Sequence, residues 1–306
     1  MAKRIANVIV DSPIREPLDY LVPADIEIQV GQRCLVPLGT RKVVGIVVGF
    51  SEESRFSKLR EVISRVDDIA PLSFGWLALT SFAARYYQSG WGQVAIPALP
   101  KFFRKLPGKL HERSLERLRK EKKRAVKEPS EKPHLNSEQS AIVEEFQMDG
   151  AFYPALIFGI TGSGKTEVYL HLMEKVLLSD PAAQVLLMVP EINLTPQLVE
   201  RVQSRFPQLE VVSWNSGMAE GQKASSWLAC HEGRARILVG TRLSVFASFK
   251  SLKLILVDEE HDPSFKSQEG VRYNARDLAL KRASIEKIPI VLGSATPSLE
   301  SYKNAL

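Results

Sequence analysis

The sequence predicts an α/β fold: a parallel sheet with crossover helices over residues 135–306, preceded by a small β-rich domain over residues 1–105. Three observations carry this. From about residue 135, strand-length apolar runs alternate with amphipathic helical stretches, the rhythm of a parallel sheet. Runs such as Leu254-Ile255-Leu256-Val257 are continuously apolar, as strands buried on both faces are. Before about residue 70 the chain instead shows short β-branched runs punctuated by glycine.

In chain order, residues 5–10 are the first strand, Gly31 and Gly39 punctuate the next stretch, and 42–48 form another strand. Residues 72–88 read as a helix closing this domain, with Trp76, Leu79, Phe82, Ala83 and Tyr86 on one core-facing side. Residues 106–134 change character. The stretch 111–127 is charge-dense, with Leu115, Leu118 and Val126 as a thin apolar stripe, and Pro129 and Pro133 close it: a solvated basic helix and linker. The strand at 153–158 is short, apolar and expected to be buried. A glycine-rich loop comes after it, then a helix over 167–178 with Val168, Leu172 and Val176 at helical spacing. Strands at 184–189, 209–213, 236–239, 252–257 and 289–292 are interleaved with helices at 195–205, 221–231 and 275–285.

The 306 residues, 44% hydrophobic and 25% charged, suffice for two domains with cores of their own. No apolar run approaches a membrane span, so no membrane role is expected. Cys34 and Cys230 lie far apart and match no metal-ligand spacing, which suits a reducing cytoplasm. Charge is uneven. Residues 1–110 carry 15 basic and 10 acidic side chains, 111–132 carry 9 and 5, and 133–306 carry 17 and 20. A basic front and a mildly acidic rear suit a nucleic-acid module joined to a nucleotide-driven one.

The loop Gly159-Ile160-Thr161-Gly162-Ser163-Gly164-Lys165-Thr166 fits the G-x-x-x-x-G-K-[ST] phosphate-binding pattern at every fixed position. Its glycines allow a tight turn whose N–H groups point at a phosphate. Lys165 is expected to reach the β- and γ-phosphates of ATP, and the Thr166 hydroxyl to hold Mg²⁺. A second anchor is Leu254-Ile255-Leu256-Val257-Asp258-Glu259-Glu260-His261. A buried strand ending in carboxylates puts them at the sheet's carboxyl edge, beside that loop. Asp258 is expected to hold Mg²⁺ through water and Glu259 to orient and activate the attacking water.

Asp258-Glu259-Glu260-His261 together with Gly293-Ser294-Ala295-Thr296-Pro297 resembles the second and third motifs of superfamily-two helicases. The stretch 258–277 narrows this: it is similar to the primosomal replication-restart helicases of the PriA family. That resemblance implies a RecA-like helicase lobe over 135–306 and a DNA 3′-end-binding domain over 1–105. It also implies an aromatic-rich loop after the acids, coupling DNA contact to hydrolysis, in which Phe265, Lys266, Arg272, Tyr273 and Arg276 sit. Aromatic rings interleaved with cations suit single-stranded DNA. Gln139, in Leu135-Asn136-Ser137-Glu138-Gln139, looks like the adenine-reading glutamine. Residues 190–196, with Thr195, and 240–242, with Thr241 and Arg242, resemble the motifs that contact the DNA backbone. His261, Ser294 and Thr296 would link nucleotide state to DNA. At the front, Leu18-Asp19-Tyr20, Gly39 and Arg60 match the family's 3′-end pocket. There Asp19 would accept from a terminal 3′-hydroxyl, Tyr20 would pack on the terminal sugar or base, and Arg60 would hold a phosphate. The family often has an aromatic residue in place of Leu18.

The chain also departs from the family. The family carries a winged-helix domain where residues 106–134 stand, an interval roughly half of what such a domain needs; it is read as reduced or absent. The chain ends ten residues after Thr296. The expectation is therefore that the second motor lobe, its arginine finger and the family's cysteine-rich zinc region lie outside it. Such a finger contributes on the order of 10³–10⁵ in rate. Asn215 stands where the family often has His, and Ser267 where it often has Gln. The resemblance thus implies an ATP-dependent 3′-to-5′ DNA helicase of replication restart and primosome assembly. Its partners would be forked and single-stranded DNA, single-stranded DNA-binding protein and primosome proteins. This chain alone is expected to bind forked DNA, bind nucleotide weakly and not unwind. Two alternatives remain open: another superfamily-two translocase, or a truncated DNA-binding protein that does not hydrolyse ATP.

Overall fold

The computed structural model describes residues 4–120, 132–148 and 150–306. Val126 and Pro129 of the expected linker lie outside the described residues. Two compact units are present: residues up to 120 with 219–225, and the remainder.

The first unit holds β1 (Ile5–Ile9), β2 (Leu18–Leu21), β3 (Arg33–Leu38), β4 (Arg41–Ser51), β5 (Arg60–Glu61) and β6 (Ser64–Val66). They form one sheet in the order β5-β2-β1-β4-β3-β6. Pairing is antiparallel except between β2 and β5. Leu38 pairs with Arg41, so Gly39 and Thr40 are a two-residue hairpin turn, and Gly39 supplies its positive φ of 60°. Val8, Cys34, Val36 and Val47 build the core at 0% exposure. Burial pushes the Cys34 thiol up to about 12, the mark of an unreactive packed cysteine.

Helix α1 (Phe74–Tyr86) begins where the Ser73 hydroxyl accepts from the Trp76 N–H at 3.1 Å. Trp76, Leu79 and Ala83 are buried as expected, but Tyr86 is 65% exposed. The cause is α2 (Trp91–Ala98), which the hydrophobic pattern did not announce. It packs on α1, Trp91 Nε1 donating to the Thr80 hydroxyl at 3.0 Å, and turns the buried face toward Leu77, Thr80 and Ala84. The short α3 (Lys101–Arg104) and α4 (His111–Arg119) come next.

Arg33, 2% exposed, pairs with Asp68, and its Nη1 donates to the Phe103 carbonyl at 2.8 Å. His111 closes on the same carboxylate at 2.5 Å while stacking on Phe102. Burial alone would push the Asp68 carboxyl up; Arg33 and His111 outweigh it and hold it below the ordinary range. A depressed folded-state value stabilises the fold above the unfolded value, and that contribution disappears as pH falls through the folded one. Replacing Asp68 by Asn strands a buried guanidinium. It is expected to cost about 3–5 kcal/mol at pH 7 in denaturant titrations. The gap from wild type should shrink as pH falls below about 4.

The second unit opens with α5 (Ser137–Glu145), capped reciprocally by Asn136 and Gln139. Next come β7 (Tyr153–Phe158), α6 (Lys165–Ser179), β8 (Gln184–Met188), α7 (Pro196–Arg205) and β9 (Glu210–Trp214). They are followed by α8 (Glu220–His231), whose residues 220–225 group with the first unit, and then by β10 (Ala235–Gly240), β11 (Leu252–Asp258), α9 (Ala275–Glu286), β12 (Pro289–Ser294) and α10 (Leu299–Ala305). The strands lie in the order β7-β12-β11-β8-β10-β9, every neighbouring pair parallel. Leu186, Ile237, Leu238, Leu254, Ile255 and Leu256 reach 0% exposure, so the central strands are covered on both faces. β7 is an edge strand, however. Only Ile157 in it is buried and Phe158 is 63% exposed, which corrects the expectation of a buried strand. Because all six strands run one way, the segments after Phe158, Met188, Trp214, Gly240, Asp258 and Ser294 all emerge at one edge.

Candidate nucleotide-binding and DNA-coupling site

The loop after β7 has the backbone its sequence demands. Gly162 and Gly164 both sit at φ 83°, a left-handed conformation that side chains rarely adopt. Gly164 is also the residue before α6, so the loop leads directly into a helix N-terminus. Lys165 is buried at 8% exposure. Its Nζ donates to the carbonyls of Gly159 at 2.8 Å and Ile160 at 3.4 Å, and stands 3.6 Å from Glu259 Oε1. Thr161 is exposed, while Ser163 and Thr166 are half-buried at the loop's inner turn. Gln139 donates from Nε2 to the Ser163 carbonyl at 2.8 Å and accepts from the Asn136 N–H at 3.0 Å. Its amide thus holds the phosphate loop and the α5 cap together through one N–H and one oxygen lone pair. The reason is its place at the third position of a capping box.

Register sets the acids beside the loop. Asp258 pairs with Gly293, Ser294 with Phe158, and the Gly159 N–H donates to the Ser294 carbonyl at 3.1 Å. Tyr169, one helical turn after Lys165, donates its hydroxyl to Asp258 Oδ1 at 3.0 Å. Burial and the adjacent Asp258 push the phenol up, so it stays a donor. Burial also raises the Asp258 carboxyl, and Glu259 adds to this; the Tyr169 hydrogen bond and Lys165 oppose it without cancelling it. A Cβ on Gly293 would lie 1.6 Å from the Tyr169 hydroxyl, so the glycine is what admits the ring. Glu259 has a φ of 46°, a strained conformation for a side-chain-bearing residue. Tyr169 was missed from sequence, although its spacing from Lys165 was a usable signal.

His261, Ser294 and Thr296 are brought together. His261 Nδ1 lies 2.7 Å from Ser294 Oγ and 3.7 Å from Glu259 Oε2; its Nε2 lies 3.3 Å from Thr296 Oγ1. The aromatic-rich segment is folded differently from the expectation. Phe265 is 1% and Tyr273 8% exposed, and Tyr273 packs edge-on against Phe246 at 5.0 Å. The Ser267 N–H closes the loop on the Tyr273 carbonyl at 2.8 Å. These rings are the loop's own small core rather than an open stacking platform; Lys266 and Arg272 are its exposed cations. Arg242 Nη1 reaches the Ser264 and Lys266 carbonyls at 3.4 and 3.5 Å. Arg276, expected on DNA, instead pairs with buried Glu260 at 3.0 Å, because α9 starts directly beneath that carboxylate. Glu260 was also missed. Thr195 caps α7 through the Leu198 N–H at 3.2 Å, and Thr241 is buried at 2%. The half-buried Asn215 comes directly after β9 and Ser267 is buried.

Within the first unit, Asp19 is gripped on both oxygens, by Asn7 Nδ2 at 2.9 Å and by the Ser54 hydroxyl at 2.6 Å. Neither partner was read from sequence; both are small polar residues without a motif. Arg60 is exposed, donates to the Gly39 carbonyl and lies beside Tyr20 in register. Leu18 is half-buried against the core. Tyr20 is 4% exposed and donates its hydroxyl to the Pro37 carbonyl at 2.9 Å, so its ring belongs to the core and not to an open pocket. The strand's alternation turns Tyr20 inward and Asp19 outward.

Among the described residues, no group of three or more His, Cys, Asp or Glu is placed to hold a metal ion by itself. No described helix is long and apolar enough to cross a membrane.

Comparisons with known proteins divide the chain in the same way. Residues 7–100 match the 3′DNA-binding domain (3′BD) of PriA, and residues 136–305 match the DEAD/DEAH box helicases. The replication restart protein PriA of Rickettsia felis is 35% identical over 301 residues, covering 98% of this chain and 44% of that protein. The PriA of Haemophilus influenzae is 32% identical over 372 residues, covering 98% and 50%. That of Bacillus subtilis is 49% identical over 150 residues, covering 49% and 18%. The chain thus spans half or less of the length of these relatives. It belongs to the DEAD/DEAH box helicases and, among them, to the PriA replication-restart proteins.

Proposed function

We propose that this chain supplies the DNA-end module and first motor lobe of an ATP-dependent helicase that moves 3′ to 5′ and acts at forks presenting a 3′ end. The observation that carries the proposal is buried Lys165, 3.6 Å from Glu259 and beside a Tyr169-held Asp258, on a loop built to cradle phosphate. Lys165 exchanges its loop carbonyls for β- and γ-phosphate oxygens when nucleotide enters. The site's chemistry fits Mg²⁺: a hydroxyl on Thr166 and a carboxylate on Asp258 are hard oxygen donors. When bound, the ion neutralises charge on the phosphates. Glu259 orients the attacking water and accepts its proton. His261, within hydrogen-bond reach of Ser294 and Thr296, carries the state of Glu259 to the segment after β12. Thr195, Thr241 and Arg242 lie in segments leaving the same sheet edge, where a single strand's backbone would run. Lys266 and Arg272 add positive charge there.

In the first unit, Asp19 is pre-oriented to accept from a 3′-hydroxyl and Arg60 to face a phosphate. The winged helix of the family would be reduced or absent here, in the interval 106–134. The 372-position alignment to the H. influenzae protein, longer than this chain, supports that reading. Single-stranded DNA-binding protein and primosome proteins are the partners this role implies, with work at the nucleoid in the cytoplasm. Zinc belongs to the family's cysteine-rich region, not to the described residues of this chain.

The test is DNA-end discrimination. By fluorescence anisotropy, wild type should prefer a 3′-hydroxyl end over a 3′-phosphate end by about tenfold, the worth of one hydrogen bond to a charged group. Asp19→Ala should erase the preference while leaving Mg·ATP affinity unchanged. Equal affinity of wild type for both ends would favour a general superfamily-two translocase instead.

A further inference from the structure

Glu260 has no part in the chemistry of hydrolysis, yet it is the most heavily engaged acid at the site. It is 1% exposed. Its Oε1 accepts from the Ser298 N–H at 2.6 Å. Its Oε2 accepts from Arg276 Nη1 at 3.0 Å, the Ser301 hydroxyl at 2.9 Å and the Ser298 hydroxyl at 3.2 Å. Its own N–H donates to the Gly293 carbonyl at 3.0 Å. Burial alone would push this carboxyl up; the Ser298 amide, the Ser301 hydroxyl and Arg276 more than offset it and hold it below its ordinary range.

One side chain therefore ties together three segments. The first is the strand end carrying Asp258 and Glu259. The second is the start of α9, where the aromatic-rich loop ends in Arg276. The third is the cap of α10, directly after Ser294 and Thr296. Local stability does not call for a charge here. Ser298 already caps α10 through the Ser301 N–H, and a buried ion pair is seldom more stable than apolar packing of the same shape. What the pair does provide is a fixed geometry. Glu259 sits in its strained conformation between two pinned neighbours, Asp258 on Tyr169 and Glu260 on Arg276. A shift of Arg276 with the loop thus reaches the Glu259 backbone through one residue.

We propose that the Glu260–Arg276 pair is the positioning link by which nucleic acid seated on the loop at 262–274 sets Glu259 and the Ser294–Thr296 segment. This rests on the proposed helicase function. Glu260 is a positioning residue; it touches neither nucleotide nor DNA.

The test is linkage between two ligands, read on the whole chain by titrating a fluorescent ATP analogue with Mg²⁺, with and without saturating oligothymidylate. In wild type, DNA should change the nucleotide Kd by about tenfold, within the usual range of coupling between sites. Glu260→Gln should bind each ligand alone within about twofold of wild type while the coupling factor falls to about one. Ser301→Ala removes one bond to the same oxygen at little risk to folding and should lower the factor part-way; it decides the matter if Glu260→Gln does not fold. A merely structural Glu260 would weaken both binary affinities and leave their ratio intact, and that outcome overturns the proposal. So does an unchanged factor in either variant. A wild type that binds no nucleotide overturns the underlying function as well, whereas coupled binding in wild type and variants alike sinks this inference alone.

Discussion

Replacing Glu259 by Gln is expected to slow phosphate release by about 10²–10⁴-fold while leaving the affinity for Mg·ATP within about twofold. The carboxylate is the group beside Lys165 able to take a proton from water, and the amide that replaces it can orient water but not accept that proton. The fold should tolerate the change, since Glu259 is only half-buried. Single-turnover phosphate release is the right reading, because it resolves slow chemistry that steady-state assays miss. Lys165→Ala is the contrasting variant: it should lose affinity and chemistry together, because a lysine on the β- and γ-phosphates would hold the ground state as well as the transition state. Equal loss of affinity in both variants would show that Glu259 binds rather than activates.

A second large effect is expected at Gly293. A methyl group there would overlap the Tyr169 hydroxyl at 1.6 Å and its Cζ at 2.8 Å. Gly293 lies inside β12 between two paired strands, so the strand has little room to shift and the ring must move. Gly293→Ala should cost about 1–3 kcal/mol of stability from overpacking. It should also break the 3.0 Å bond to Asp258 and so weaken Mg·ATP binding. Tyr169→Phe removes the same bond without the overlap and should weaken binding to a similar degree. The double variant should lose less affinity than the two singles added, because both act on one hydrogen bond. Additive losses would mean that Gly293 acts on the site by another route.

Much of the second unit was legible in sequence because its signals are local. A glycine-rich loop must adopt positive φ, a continuous apolar run must be buried on both faces, and parallel strands must deliver their carboxyl ends to one edge. Lys165, Asp258 and Glu259 met accordingly. What stayed illegible depended on long-range packing. Tyr20, Phe265 and Tyr273 are aromatic residues in motifs associated with DNA, but each ring is also the largest apolar body in its segment, and the folded chain turns it inward. Gln139 sits at the third position of a capping box, and its bond from there to the Ser163 carbonyl could not be read from spacing. Arg276 looked like one more cation of the loop; the buried carboxylate sixteen residues before it, which claims it, cannot be paired with it from spacing alone. Asn7 and Ser54, which fix Asp19, come from β1 and from the loop after β4 and carry no pattern at all. Edge position hid β7 in the same way, since its composition is that of a buried strand.

Titration of Mg·ATP against wild type and Lys165→Ala, by calorimetry at fixed salt, decides whether the loop at 159–166 and the acids at 258–259 form one nucleotide site. Wild type should show saturable one-to-one binding, weakened at least tenfold by the substitution with no loss of thermal stability. Absence of binding in wild type, or binding that Lys165→Ala leaves untouched, would contradict it.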